Sequence, residues 1–215
     1  MSIRKKIPLA IFLVILAFIA TGQTGLFSGC QCVLPVLSYQ YEVPYCTANN
    51  PSPDRVLLLS YVKVEYYDAQ NQLLSGSDEK YLVKVARGSV GVEPSEQFPP
   101  SDAINNFKSD TLSLNIPNNA VKAKVTFSVQ GHYLLDDTAS NYYDPDDGIE
   151  AYLKNIYLGT TKVTGWTIAS SDTSGVFQAV AEITSDGTLH GKFIGADTHN
   201  IDQGFVDFVA EVPLH

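Results

Sequence analysis

The sequence predicts an all-β fold, an antiparallel β-sandwich of immunoglobulin-like or jelly-roll-like form, preceded by an N-terminal hydrophobic signal or anchor segment. Three observations predict it. Apolar and polar residues alternate with a period of two through most of the chain after Gly29, the pattern of a strand buried on one face. Polar, Pro-rich stretches and an Asp-Gly pair punctuate these runs, as turns do. An uninterrupted apolar run follows three cations at the extreme N-terminus, the form of an export signal.

The leader is MSIRKKIPLAIFLVILAFIATGQTG, with Arg4, Lys5 and Lys6 ahead of an apolar run from Ile7 to Ala20. The small residues Ala20-Thr21-Gly22 suit signal-peptidase cleavage, which is the expected outcome. No charge occurs between Ile7 and Tyr41, so an uncleaved segment to about Gly29 is also long enough to span a bilayer with its basic end cytoplasmic. The chain therefore divides into a signal or anchor at 1–29, a leader strand at 30–48 and a sandwich domain at 49–215. Its expected location is extracellular or at the cell surface.

Strand by strand, VLSYQYEV sets Leu37, Tyr39, Tyr41 and Val43 on one face against Ser38, Gln40 and Glu42. In VLLLSYVKVEYYD, Val62, Val64 and Tyr66 oppose Lys63 and Glu65, and KYLVKVA repeats the pattern with Tyr81, Val83 and Val85. TLSLNIP follows with Leu112, Leu114 and Ile116. AVKAKVTFSVQ is the clearest, with Val121, Ala123, Val125, Phe127 and Val129 on one side. The Asp186-Gly187 pair between two β-rich runs signals a hairpin, and FVDFVAEV closes the chain with Val206, Phe208, Ala210 and Val212. Asn49–Asp54 and Glu93–Asp110 read as loops. DPDDGIEAYLKNIYLG reads either way. A short helix starting at Asp144, with Pro145 in its first turn, groups Ile149, Leu153 and Ile156; a strand from about Glu150 fits as well, and the helix is slightly preferred. Two facing sheets bury such one-sided stripes without a helix layer, which selects a sandwich over a barrel.

One run carries a resemblance. YVKVEYYDAQNQLLSGS, residues 61–77, resembles the strand–turn–strand of FxLYD-type and related immunoglobulin-like extracellular modules, where an alternating strand ends in a Tyr-Asp turn followed by a polar pair. The resemblance implies an extracellular β-sandwich and brings no functional residue with it.

Charge narrows the partners. The chain carries −9, and removing the leader's three cations takes this to −12. Nucleic acid and anionic lipid both require cationic patches, so neither is an expected partner, and the membrane is met only through the N-terminal segment. No nucleophile elbow, zinc-protease, P-loop or dinucleotide motif occurs. His132, His190, His199 and His215 are scattered singly, and two histidines alone do not make a zinc site. No enzyme is expected. Twelve tyrosines and Trp166 suit either sheet packing or a stacking platform for sugars.

The candidate metal site is the acidic run Asp136, Asp137, Asp144, Asp146, Asp147 and Glu150, six carboxylates within fifteen residues. Calcium takes such hard oxygen ligands, although the spacing is not that of an EF-hand loop. Three cysteines lie near the leader. Ser28-Gly29-Cys30 fits a bacterial lipoprotein site, which makes Cys30 the candidate for lipidation and leaves Cys32 and Cys46 as a pair. Without lipidation Cys30–Cys46 is the other possible bridge, because Cys30 and Cys32 are too close to join.

Three functions follow. The favoured one is an exported structural subunit that self-associates into a filament or coat, with the strand bearing Leu37, Tyr39, Tyr41 and Val43 donated to a neighbour. The alternative is a membrane-tethered β-sandwich binding or adhesion module, and the third an extracellular hydrolase whose carboxylates converge only in the fold. A calcium site predicts a higher melting temperature in calcium than in chelator, and an unchanged melt would dismiss it.

Overall fold

The computed structural model describes residues 35–47, 55–87, 106–134, 148–172, 176–196 and 202–214. Eleven strands occur among them: β1 Val36–Thr47, β2 Arg55–Tyr67, β3 Leu73–Arg87, β4 Lys108–Ser113, β5 Lys122–Leu134, β6 Gly148–Leu158, β7 Thr161–Lys162, β8 Thr167–Asp172, β9 Val176–Ile183, β10 Leu189–Ala196 and β11 Asp202–Pro213. They form two antiparallel sheets. The front sheet runs β4-β1-β6-β10-β9, with β7 on the end of β6, and the back sheet runs β3-β2-β5-β11-β8.

The alternation read from the sequence decides which residues meet between the sheets. Leu58, Val62, Val64 and Tyr66 of β2, Ala123, Val125, Phe127 and Val129 of β5, and Val206, Phe208, Ala210 and Val212 of β11 are all buried. Facing them are Leu37 and Tyr39 of β1, Ile149, Ala151 and Leu153 of β6, and Leu189 and Phe193 of β10. Phe127 and Phe208 stack with centroids 5.6 Å apart, joining β5, the middle strand of the back sheet, to its neighbour β11. Removing apolar surface from water at about 25 cal/mol per Å² is the main driving force for closing such a core.

The leader strand is internal to the front sheet. β1 pairs with β4 from Val36↔Ser113 to Tyr41↔Lys108 and with β6 from Leu37↔Leu158 to Thr47↔Gly148. Leu37 and Tyr39 are buried, and Tyr41 and Val43 pack half-buried against the core. β1 and the other strands lie in one compact unit, residues Leu34–His215.

Three expectations change. Gly148–Leu158 is strand β6, not a helix. Ile149 and Leu153 share a face in either conformation, but Ile156 lies an odd number of residues beyond Leu153. A bulge restores it to the core: Asn155 sits at φ 51°, and the β1–β6 register shifts there, between Ser38 and Gln40 on the β1 side. The extra residue reproduces a helical spacing within a strand. Tyr81 does not share a buried face with Val83 and Val85. A register shift opposite Ser60 and Tyr61 buries Leu82 beside Val83 and leaves Tyr81 45% exposed, edge-on to Tyr61 at 5.8 Å. The loop expected to Asp110 ends earlier, because β4 begins at Lys108.

The expected loop Asn49–Asp54 and most of Glu93–Asp110 lie outside the described residues; two expected turns lie within them and form. The run 61–77 is β2, a turn and β3; Asp68 Oδ1 accepts the backbone N–H groups of Gln70 and Gln72 at 2.9 and 2.8 Å. Asp186-Gly187 joins β9 to β10, with Gly187 at φ 84°. At one border of the sandwich Lys80 of β3 reaches β4, donating to Asp110 at 2.6 Å and to the Thr111 carbonyl at 3.1 Å, which links the two sheets.

At Gly191 the two sheets lie close together. A Cβ there would lie 2.7 Å from Val129 Cγ2 and 3.0 Å from Val206 Cγ1. Gly191→Ala is expected to destabilise the fold by about 1–3 kcal/mol through overpacking, read by chemical denaturation. Because Val129 is the obstructing group, adding Val129→Ala should cost less than the two single effects summed.

Candidate functional site

The candidate site lies on the outer face of the front sheet. Alternation that sends Ile149, Ala151 and Leu153 inward turns Glu150, Tyr152 and Lys154 of β6 outward. Register lines their neighbours up: Glu42 of β1 and His190 of β10 flank Tyr152, and Lys192 lies opposite Glu150. The segment 106–107 ahead of β4 closes one side of this surface and the β9–β10 turn closes the other. The result is a trough of about 490 Å³, lined by Glu42, Pro44 and Phe107, by Glu150, Tyr152 and Lys154, and by Thr184, Asp186 and Thr188.

Glu150 is the hub of the floor. Its Oε1 accepts from the Tyr152 hydroxyl at 2.7 Å and shares a 2.8 Å hydrogen bond with His190 Nε2, while Lys192 Nζ stands 3.6 Å from Oε2. The His190 ring stacks on Tyr152, centroids 4.1 Å apart and nearly parallel at 11°. The His190 hydrogen bond, then that of Tyr152 and the Lys192 charge, hold the Glu150 carboxyl down at about 2, against the opposing effect of burial. Burial, with the adjacent Glu150, raises the Tyr152 phenol well above its ordinary value.

Glu42 is placed by a bulge. Glu42 faces Tyr152 and Tyr45 faces Glu150, so β1 carries one residue more than β6 between them. Pro44 falls in that bulge, where a missing N–H costs no ladder bond. Glu42 is only 5% exposed, and its Oε1 accepts the Asn106 backbone N–H at 3.1 Å. Across the trough mouth Lys154 Nζ lies over the Phe107 ring, 3.4 Å from its centroid. The turn wall is rigid: Asp186 accepts from the Thr184 hydroxyl and from the Thr188 N–H, and these bonds hold its carboxyl below the usual range.

The structure reaches the residues singled out from the sequence unevenly. Of the candidate calcium ligands, Glu150 is in the floor; Asp136, Asp137, Asp144, Asp146 and Asp147 lie outside the described residues. Among the described residues no three metal-type ligands converge. Cys46 is buried and has no disulfide partner among the described residues, and burial pushes its thiol up to about 12; its candidate partners Cys30 and Cys32 lie outside the described residues, as do His199 and His215. Leu37 and Tyr39 serve the core rather than a surface. Reading by strand missed Phe107 and the role of Glu42, because the segment bearing Phe107 is brought to Glu42 by the hydrogen bond of its neighbour Asn106, across sixty-four positions of sequence.

Comparison of the chain with protein-family models, curated proteins and solved structures returned no match.

The depressed Glu150 carboxyl sets a pH dependence. A carboxylate whose folded pKa lies below its unfolded value stabilises the protein above the unfolded pKa, near 4.5, and loses that contribution as pH falls through about 2. Thermal melts from pH ~4.5 down to pH ~2 should lose stability on the order of 1–2 kcal/mol from this group, solvent screening reducing the full effect of the shift, and Glu150→Gln should flatten that part of the profile.

Proposed function

We propose that the protein is an exported β-sandwich binding module, held at the cell surface through its N-terminal segment, with the front-sheet trough as its ligand seat. The observation that carries this reading is the trough itself: aromatic rings, hydroxyls and charged groups from four separate segments converge on one outward face. Specific sites combine an apolar wall with a few placed polar groups in this way. The leader sequence and the acidic composition support an extracytoplasmic setting.

Geometry favours this reading over a strand-donating filament subunit. Donation requires a strand free to leave and a sheet open to receive it. β1 is hydrogen-bonded on both sides within its own chain, and its departure would uncover Leu37 and Tyr39 and detach β4 from β6.

The test is a thermal-shift screen of the full-length chain in detergent against short peptides, oligosaccharides and polyamines. A ligand that raises the melting temperature should bind about tenfold more weakly to Phe107→Ala, which removes one wall of the trough. Ligand binding indifferent to Phe107→Ala would overturn the assignment. Filaments in negative-stain images that vanish on deletion of residues 33–45 would return the protein to the assembly class.

A further inference from the structure

We infer that the trough recognises an organic cation, an ammonium or guanidinium group seated against Glu42; this rests on the trough being the ligand seat. Glu42 is only 5% exposed as a residue. Its Oε1 accepts the Asn106 N–H, and among the described residues its Oε2 is not one of the buried side-chain atoms left without a partner, so that oxygen is open to the trough. None of the ion pairs among those residues includes it. Its neighbour Glu150 shows the contrast, with Tyr152, His190 and Lys192 all directed at its oxygens. A carboxylate oxygen at the edge of an enclosed trough attracts a cationic donor, and charge-assisted hydrogen bonds of this kind are among the stronger ones. Glu42 borders the trough, so a ligand there is able to supply the cation that the described residues do not.

The rest of the lining agrees with a cation. Counting Lys192, which pairs with Glu150, the carboxylates of Glu42, Glu150 and Asp186 face the two cations Lys154 and Lys192, so the site is net acidic by one charge, and the whole chain is acidic too. Phe107 already holds an ammonium over its face in Lys154, which demonstrates that this wall suits a cation–π contact. The floor also excludes strand addition. β1, β6 and β10 each have a hydrogen-bonded strand on both sides, so a ligand engages side chains rather than an open edge. The chemistry is shared by basic side chains of a partner peptide and by free polyamines.

The decisive experiment is isothermal titration of the full-length chain in detergent with trilysine, triarginine and spermidine, and with cellotetraose as the neutral comparison. The tripeptides and spermidine separate the two sources of the cation. Binding of at least one cationic probe, weaker at high salt, is expected. Glu42→Gln should weaken it at least about tenfold without lowering the melting temperature, since the isostere removes a buried charge. Lys154→Met, which deletes the resident cation, should tighten cationic binding severalfold, and it decides the matter if Glu42→Gln fails to fold. Equal cation affinity in wild type, Glu42→Gln and Lys154→Met overturns the inference. Cellotetraose binding that is lost in Phe107→Ala but kept in Glu42→Gln overturns the cation while leaving the trough as the ligand seat. No binding of any probe overturns both.

Discussion

The two-residue alternation of β6 is the constraint on which the rest of the structure depends. One face of this strand puts Ile149, Ala151 and Leu153 into the core, and the other puts Glu150, Tyr152 and Lys154 into the trough. A slip of one residue would exchange the two sets. It would place a carboxylate, a phenol and an ammonium between the sheets, each costly to bury unpaired. The energy of the core therefore enforces the geometry of the site. No separate device is needed to aim Glu150 at His190, because the register that buries Leu153 opposite Leu189 also brings Tyr152 beside His190.

Departures from that regularity shape the functional face. The bulge in β1 sets Glu42 beside Tyr152 and accommodates Pro44, while the bulge at Asn155 lets β6 keep Ile156 in the core after one extra residue. Local irregularity is common where a strand must re-aim a side chain. Both bulges lie along the β1–β6 seam, and this seam runs beneath the trough. The back sheet has its own irregularity opposite Ser60, where it serves packing by burying Leu82.

The floor and the wall of the trough differ electrostatically. Glu150 is compensated by three neighbours and is part of a network that stiffens the floor. Glu42 is more enclosed than Glu150 but has, among the described residues, one backbone donor. The two carboxylates on adjacent strands thus differ in their surroundings: Glu150 sits within a side-chain network, and Glu42 takes one N–H from Asn106, which is why the ligand role is proposed for Glu42.

Much of the architecture was legible in the residues. Alternation in Val62–Tyr66, Ala123–Val129 and Val206–Val212 predicts strands that the structure contains, and Asp186-Gly187 predicts the hairpin turn, because side-chain period and turn chemistry are local properties. β6 was legible only in part, since a bulge gave Ile149, Leu153 and Ile156 the spacing of a helix. Of the site, Glu150 and His190 stood out as chemically capable residues, but their partnership did not. By itself the sequence determined the all-β class, the inward and outward faces of most strands, and the acidic balance. Tertiary structure alone decided that β1 lies between β4 and β6, that Glu42 is shielded by residues near 106, and that four segments share one trough. The reason is physical: alternation specifies which way a side chain points, whereas strand order and burial depend on long-range pairings whose energy is spread over the whole sheet.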